Sequence, residues 1–248
     1  MFRFARWTAL VLLICTLVVT PIRPAHAQDD AQAQLDATAA AMLALNSFHF
    51  KLETTAGRSV FQEAFELKIV EGDVVRPSNF QATLDVKLAI VDITLEVVSV
   101  DGNIWVKNPI GGSDSFIQVA GGDSDFELPP MELLNPDLLV PRALEYLEDP
   151  QIAGAEELDG QEMTVLTGTF DPSRLIGAGT PSTGDQVIDA ATEPLDVKMW
   201  IDDQDRLVQV DFVGPLFSFE EGTGRLVRRV TFSNFDAEVS IEPPAQAS

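Results

Sequence analysis

One cysteine, two histidines and one tyrosine are all that 248 residues hold of the side chains most used for nucleophilic, redox and metal chemistry. Each shortage excludes something. The single cysteine, Cys15, lies inside an apolar run and is preceded by Ile14, where a lipidation signal needs a small residue. It reads as part of a signal-peptide core. The exported chain then holds no cysteine, and hence no disulfide and no thiol chemistry. His26 falls at the end of the same signal. That leaves His49, between Phe48 and Phe50 in an alternating stretch, as a solvated strand residue rather than a triad base. One histidine cannot fill a nitrogen- or sulfur-ligated zinc site. Cations are scarce too, at 16 Lys and Arg against 39 Asp and Glu, a formal net charge of −23. No basic patch is available for phosphate contacts, which excludes nucleic acid as a partner. The apolar run Trp7–Thr20 is shorter than the ~20 residues a spanning helix needs.

What is present begins with an export signal. Arg3 and Arg6 precede the apolar run, and Ala25-His26-Ala27 supplies small residues before Gln28. Residues 1–27 read as a signal peptide cleaved after Ala27; retention as an uncleaved anchor is the alternative. Cleavage leaves 221 residues (248 less 27) with three fewer cations, a net charge of −26. Residues 28–242 read as one domain, and 243–248, opening with Pro243-Pro244, as a disordered tail.

Asp29–Leu45 predicts a helix, with Leu35, Ala39, Met42, Leu43 and Leu45 as its apolar stripe. From Phe48 the period switches to two. Strands are expected near Phe48–Glu53, Val60–Val70, Gln81–Ala89, Val91–Val100, Ile104–Lys107, Met163–Phe170 and Leu226–Phe235. Turns are expected at Glu71-Gly72, Asp101-Gly102 and Asp159-Gly160, and a loop or strand edge at Arg76-Pro77-Ser78. The sharpest pattern is Glu193–Gly214. Leu195, Val197, Met199 and Ile201 share one face, and Asp196, Lys198, Trp200 and Asp202 the other. After an acidic turn, Leu207, Val208, Val210 and Phe212 alternate with Gln209 and Asp211. The glycine-rich Gly111–Asp125 stretch reads as a hairpin or flap around Phe116–Val119. Pro129–Asp149 suggests short helices broken at Pro136 and Pro141, and Asp171-Pro172 opens another short one. Gly179–Gly184 reads as a loop.

Catalytic signals are weak. Asp123, Asp125 and Glu127 alternate like the start of a calcium loop, but Leu128 replaces its glycine and Leu134 its bidentate glutamate. Asp202, Asp203 and Asp205 read as a solvated turn. Gly111-Gly112 and Gly121-Gly122 precede no helix in phosphate-loop spacing. No enzyme activity and no cofactor are expected. The aromatic content is lopsided, with fifteen Phe beside three Trp. A long one-layer sheet with so few helical residues leaves apolar interior to be covered, and acyl chains suit such a space at about 0.8 kcal/mol per buried CH₂.

The order of features resembles the LppX/LprG-type (LppX_LprAFG) envelope lipoprotein family, which shares the fold of the outer-membrane lipoprotein carrier (LolA-like). The likeness rests on SFHFKLE at Ser47–Glu53, VVRPSNFQATLDV at Val74–Val86, VDGNIWVKN at Val100–Asn108 followed by Phe116-Ile117-Gln118, LLNPDLL at Leu133–Leu139, ELDGQEMTVLTGTFD at Glu157–Asp171, VKMWIDDQDRLVQVDF at Val197–Phe212 and VTFSNFDAEVSIEPP at Val230–Pro244. The resemblance implies an α+β fold: a large curved antiparallel sheet, or half-barrel, with helices packed on its concave face. It implies a non-catalytic carrier holding acyl chains of a lipid or lipoglycan in a hydrophobic cavity, in cell-envelope lipid transport. By strand register, Phe50, Leu52, Leu67, Ile69, Leu84, Val86, Leu88, Ile104 and Val106 would line the sheet side of that cavity. Leu134, Leu138 and Leu139 would form a lid or wall, and Val197, Met199, Val210 and Phe212 would complete the lining. Family members often carry a lipobox cysteine, which Ile14-Cys15 does not supply. The expected location is therefore extracellular or in the envelope, without a lipid anchor. A second reading keeps the fold but makes it a signalling or assembly module that binds a partner such as an envelope membrane protein.

Overall fold

The computed structural model describes residues 25–61, 65–88, 90–107, 115–119, 136–176, 190–220, 222 and 224–245. Residues 1–24, which hold most of the expected signal peptide and Cys15, lie outside these, as do Gly179–Gly184, Leu134 and the flanks of the Gly111–Asp125 stretch.

Twelve strands run in chain order: β1 Ser47–Ala56, β2 Ser59–Phe61, β3 Phe65–Val75, β4 Asn79–Leu88, β5 Val91–Val100, β6 Asn103–Lys107, β7 Phe116–Val119, β8 Glu148–Leu158, β9 Gln161–Phe170, β10 Leu195–Ile201, β11 Leu207–Val213 and β12 Val227–Ser233. Among the described residues three α-helices accompany them: α1 Ala25–Ala44, α2 Pro136–Glu145 and α3 Pro172–Ile176. Eleven strands form one open antiparallel sheet in the order β7-β6-β5-β4-β3-β1-β12-β11-β10-β9-β8, with β2 paired to β3. The first strand therefore sits mid-sheet, between a β3–β7 arm and a β8–β12 arm. A sheet of this width curls rather than lying flat, because each strand is twisted against the next.

Local chemistry explains the connections. Asp101-Gly102 and Asp159-Gly160 both have positive φ at both residues, the geometry of two-residue hairpin turns. Asp202 Oδ1 accepts from the backbone N–H groups of Gln204 and Arg206, and Oδ2 pairs with Arg206, so the acidic turn of the β10–β11 hairpin is held by its own first carboxylate. Asp171 accepts from Ser173 N–H at 2.9 Å and starts α3 as a cap should.

Several expectations need correction. Glu71-Gly72 is not a turn: β3 runs through it to Val75, and the chain reverses at Arg76–Ser78. A Cβ at Gly72 would lie 2.0 Å from the Gln81 carbonyl oxygen and 2.8 Å from Ala82 Cα, so the glycine marks close strand approach, not reversal. α2 contains Pro141 instead of breaking there, and it starts at Pro136, where a missing N–H costs nothing. α1 begins at Ala25 and takes in Ala25–Ala27. Its buried stripe is Ala31, Leu35, Thr38, Met42 and, just beyond its end, Leu45; Leu43 is 58 % exposed. β8 was not expected at all. On β11 a register shift beside Ile201 sends Val208 to the face opposite Val210.

One face of the sheet shares a buried cluster with Leu35, Met42 and Leu45 of the N-terminal helical segment; this is the inner face. The cluster reaches from Val106 on β6 to Leu166 on β9. Arg76 fastens the end of the helix to the sheet by donating from Nη1 to the carbonyls of Met42 (2.6 Å) and Leu45 (2.8 Å). Asp236 accepts from Asn46 N–H at 2.7 Å, and that bond holds its carboxyl below the usual range.

Candidate functional site

Two rows of paired residues describe the inner face. The first runs Leu166, Met199, Val210, Val230, Leu52, Val70, Leu84, Leu95, one residue per strand from β9 to β5. Every member is aliphatic or Met, and all but Leu52 are almost wholly buried. The second runs Phe232, Phe50, Gly72, Ala82, Val97, Val106, Ile117 from β12 to β7. It loses its side chains in the middle, where Gly72 and Ala82 present little beyond backbone. Alternation on half-buried strands produces such a face whenever each strand keeps period two.

Most of the lining residues expected from sequence fall here. Phe50, Leu67, Leu84, Val86, Val106, Val197, Met199 and Val210 belong to the buried cluster, and Leu52, Ile104 and Phe212 pack against it half-buried. Ile69 does not. A register shift between Leu67 and Ile69 turns Ile69 outward and brings Val70 in, a one-residue slip that swaps the faces. Leu88 ends β4 opposite Val91 and Phe65. Leu138 and Leu139 fall within α2, but their side chains lie outside what is described, and Leu134 lies outside altogether. Sequence reasoning missed Phe48, Val70, Val74, Phe80, Leu95, Val97, Leu166 and Phe232 on this face. For Leu95, Val97 and Leu166 the strand alternation was the available signal.

A buried ion pair closes one end of the inner face. Arg228 on β12 and Glu220 in the Ser218–Glu220 turn of 3₁₀ helix pair with almost no exposure. Glu220 also accepts from the N–H groups of Leu216 (2.9 Å) and Phe217 (3.2 Å), and Ser59 Oγ accepts from Arg228 at 3.0 Å. The pair is thus hydrogen-bonded on both sides, as a buried charge must be.

The outer face differs between the arms. On the β3–β5 side it carries a polar groove of about 450 Å³, lined by His49, Glu71, Asp73, Gln81, Asp85 and Glu96 among others. His49 sits on this face as expected, with Nδ1 2.9 Å from Asp73 Oδ1 and Nε2 3.4 Å from Glu71. On the β8–β11 side the outer face buries a small apolar patch, Met163, Val165 and Trp200, with Leu158 and Val208 against it. Glu156 covers Trp200, accepting from its Nε1 at 3.0 Å and from Lys198 at 2.7 Å; these bonds hold its carboxyl below the usual range. The Lys198 ammonium lies 4.5 Å from the Trp200 ring centroid. Among the described residues no cluster of His, Cys, Asp and Glu has the arrangement of a metal site, and no helix is long and apolar enough to cross a membrane.

The model of the LppX_LprAFG lipoprotein family matches residues 30–241. The chain belongs to that family. The fold agrees with solved LppX_LprAFG relatives. LprF of Mycobacterium bovis superposes with a TM-score of 0.59 at 20 % identity, over 88 % of this chain and 98 % of LprF. The lipoprotein LppX of Mycobacterium tuberculosis gives 0.55 at 18 % identity, over 86 % of this chain and 99 % of LppX. A LolA superfamily protein of Nitrosomonas europaea gives 0.30 at 13 % identity, over 85 % and 94 % of the two chains. Comparison with curated proteins gives no match. Membership places the chain among exported envelope proteins. It also sets the family's description as lipoproteins against the expectation, drawn from Ile14-Cys15, of a chain without a lipid anchor.

Proposed function

We propose that this LppX_LprAFG member is a non-catalytic, exported carrier of an acylated lipid or lipoglycan, and that the acyl chains lie along the inner face of a half-barrel sheet with α1 on its concave side. The observation that carries this reading is the unbroken apolar row from Leu166 to Leu95, eight strands wide, next to the Gly72–Ala82 dip. A core needs such a row only as far as helices cover it. The inner-face residues Leu52, Ile104 and Phe212 stay half-exposed, while Ile117 and Ile152 on the two outermost strands are 59 % and 44 % exposed. Burying a twelve-carbon chain against such a surface is worth about 10 kcal/mol before ordering costs. Phe50, Leu52, Leu67, Leu84, Val86, Leu88, Ile104, Val106, Val197, Met199, Val210 and Phe212 are the proposed lining, with Leu134, Leu138 and Leu139 as the lid. Ile69 is left out.

Native mass spectrometry of protein made in a bacterial periplasm tests this. The expected result is a stoichiometric acyl lipid that solvent extraction removes. Leu52→Arg, which puts charge on a half-buried inner position, is expected to empty the protein without unfolding it. Protein that emerges lipid-free and rejects added lipid overturns the carrier reading.

A further inference from the structure

β8 is an edge strand of unusual openness. It is eleven residues long and hydrogen-bonds only to β9 among the described residues, with α1 as its other packing neighbour. From Gln151 to Glu157 every side chain is exposed, on both faces of the sheet. Exposed edges are usually blunted by shortness, as β7 is with four residues. β8 is instead blunted by charge. Glu148 and Asp149 stand at one end, Glu156 and Glu157 at the other, and Asp159 and Glu162 follow in the hairpin. Of these six carboxylates, Glu148 meets Arg174 at 3.7 Å and Glu156 meets Lys198. Between the acidic ends lies the small, largely apolar run Ile152-Ala153-Gly154-Ala155.

This pattern selects its partner. A second copy is disfavoured: an antiparallel pair of β8 strands about Ala153 sets Glu157 of each copy opposite Asp149 of the other, and like charges directly opposite destabilise a ladder. A strand with cations at both ends and an apolar middle meets opposite charge at both ends. It would also cover Ile152, which is 44 % exposed. We propose that the free edge of β8 is a docking site for an extended, cationic segment of a partner protein, added antiparallel or parallel as one more strand. Backbone hydrogen bonds supply the affinity, and the two acidic ends supply the selection. The backbone edge of β8 lies outside the inner face, which only the Ile152 side chain shares, opposite Leu166, and docking there does not depend on lipid occupancy.

The probe is a fluorescein-labelled nine-residue peptide with two lysines at each end around alternating valine and threonine, read by anisotropy at about 150 mM salt, where long-range attraction to the acidic surface is screened. The controls are the same peptide N-methylated at alternate residues, and a version with glutamates for lysines. Saturable binding is expected, at least about tenfold weaker for the N-methylated peptide, which cannot donate the backbone hydrogen bonds of an added strand. No binding is expected for the acidic peptide. Hydrogen exchange of the complex is expected to protect amides within residues 151–158. Glu157→Lys is expected to weaken binding several-fold with an unchanged melting temperature. Equal binding of the N-methylated peptide, protection elsewhere, or no binding at all overturns the proposal. So does sedimentation showing a dimer that Ala155→Pro dissolves, because the edge would then serve a second copy.

Discussion

The two arms that flank β1 are built to the same length scale but supported differently. The β3–β7 arm buries its inner face and, on the outer face, a patch where Val100 of β5 and Trp105 of β6 cluster with Ile241. The rest of its outer face is polar, with Lys68–Asp92, Lys107–Glu96 and Thr94–Asp85 pairs between its strands and His49 among carboxylates. The β8–β12 arm buries parts of both faces. Behind its inner apolar row stand Met163, Val165 and Trp200, and Arg229 grips Asp211 with two bonds of 2.7 Å. Surface ion pairs such as Lys68–Asp92 contribute about 0–1 kcal/mol each. A buried Met or Trp contributes more. The polar-backed part of the β3–β7 arm, around His49, therefore depends on its inner face, and anything that fills or empties that face acts there first.

Four tests bear on the contrast. Glu220→Ala is expected to have the largest effect, about 3–5 kcal/mol, because it leaves Arg228 charged and buried without its partner; chemical denaturation reads it, and a loss under 1 kcal/mol would mean that water reaches the pair. Gly72→Ala is next, at roughly 3 kcal/mol, since the added methyl falls on backbone atoms of β4 that have no easy retreat. Hydrogen exchange should show this loss concentrated in β3 and β4. The third test sets the outer faces against each other. Met163→Ala is expected to cost about 2–3 kcal/mol, and His49→Ala less than about 1 kcal/mol. Equal losses would erase the distinction between the apolar patch and the polar groove.

The smallest effect is that of pH. Hydrogen bonds from Arg58 to Glu66, from Lys68 to Asp92 and from Lys198 to Glu156 each hold the carboxyl below its ordinary value of 4.5 for Glu or 3.8 for Asp. A carboxyl that is more acidic folded than unfolded stabilises the fold at pH above its ordinary value. That stabilisation is lost as pH falls through the lowered value. Melting temperature should thus be flat from neutrality to about pH 5 and decline below about 4.5. Lys198→Met is expected to remove the Glu156 share of that decline, since its main donor is gone.

Much of this architecture was legible in the chain. Asp-Gly turns are strong signals because few other residue pairs accept positive φ twice in succession. The Leu195–Phe212 hairpin was readable because one of its faces is apolar and turns were well marked. β8 was not readable, for the reason that makes it open: from Gln151 to Glu157 no side chain is buried on either face, so no alternation is imposed on its sequence. The Ile69 error has a different origin. A bulge adds a residue without changing composition, and nothing in Leu67-Lys68-Ile69-Val70 announces which aliphatic residue will turn inward. The Glu71-Gly72 error shows that a strand glycine demanded by close approach looks like one demanded by a turn.

The position of β1 also has a consequence for assembly. Its two neighbours, β3 and β12, come from nearly opposite ends of the domain. A chain emerging from its N-terminus can zip β1 to β3 early, but the other flank of β1 stays bare until residues near 230 arrive. The last strand is therefore the keystone of the sheet. Contacts this distant in sequence make for slow closure, so a polypeptide cut short before β12 keeps a long unpaired edge in its centre.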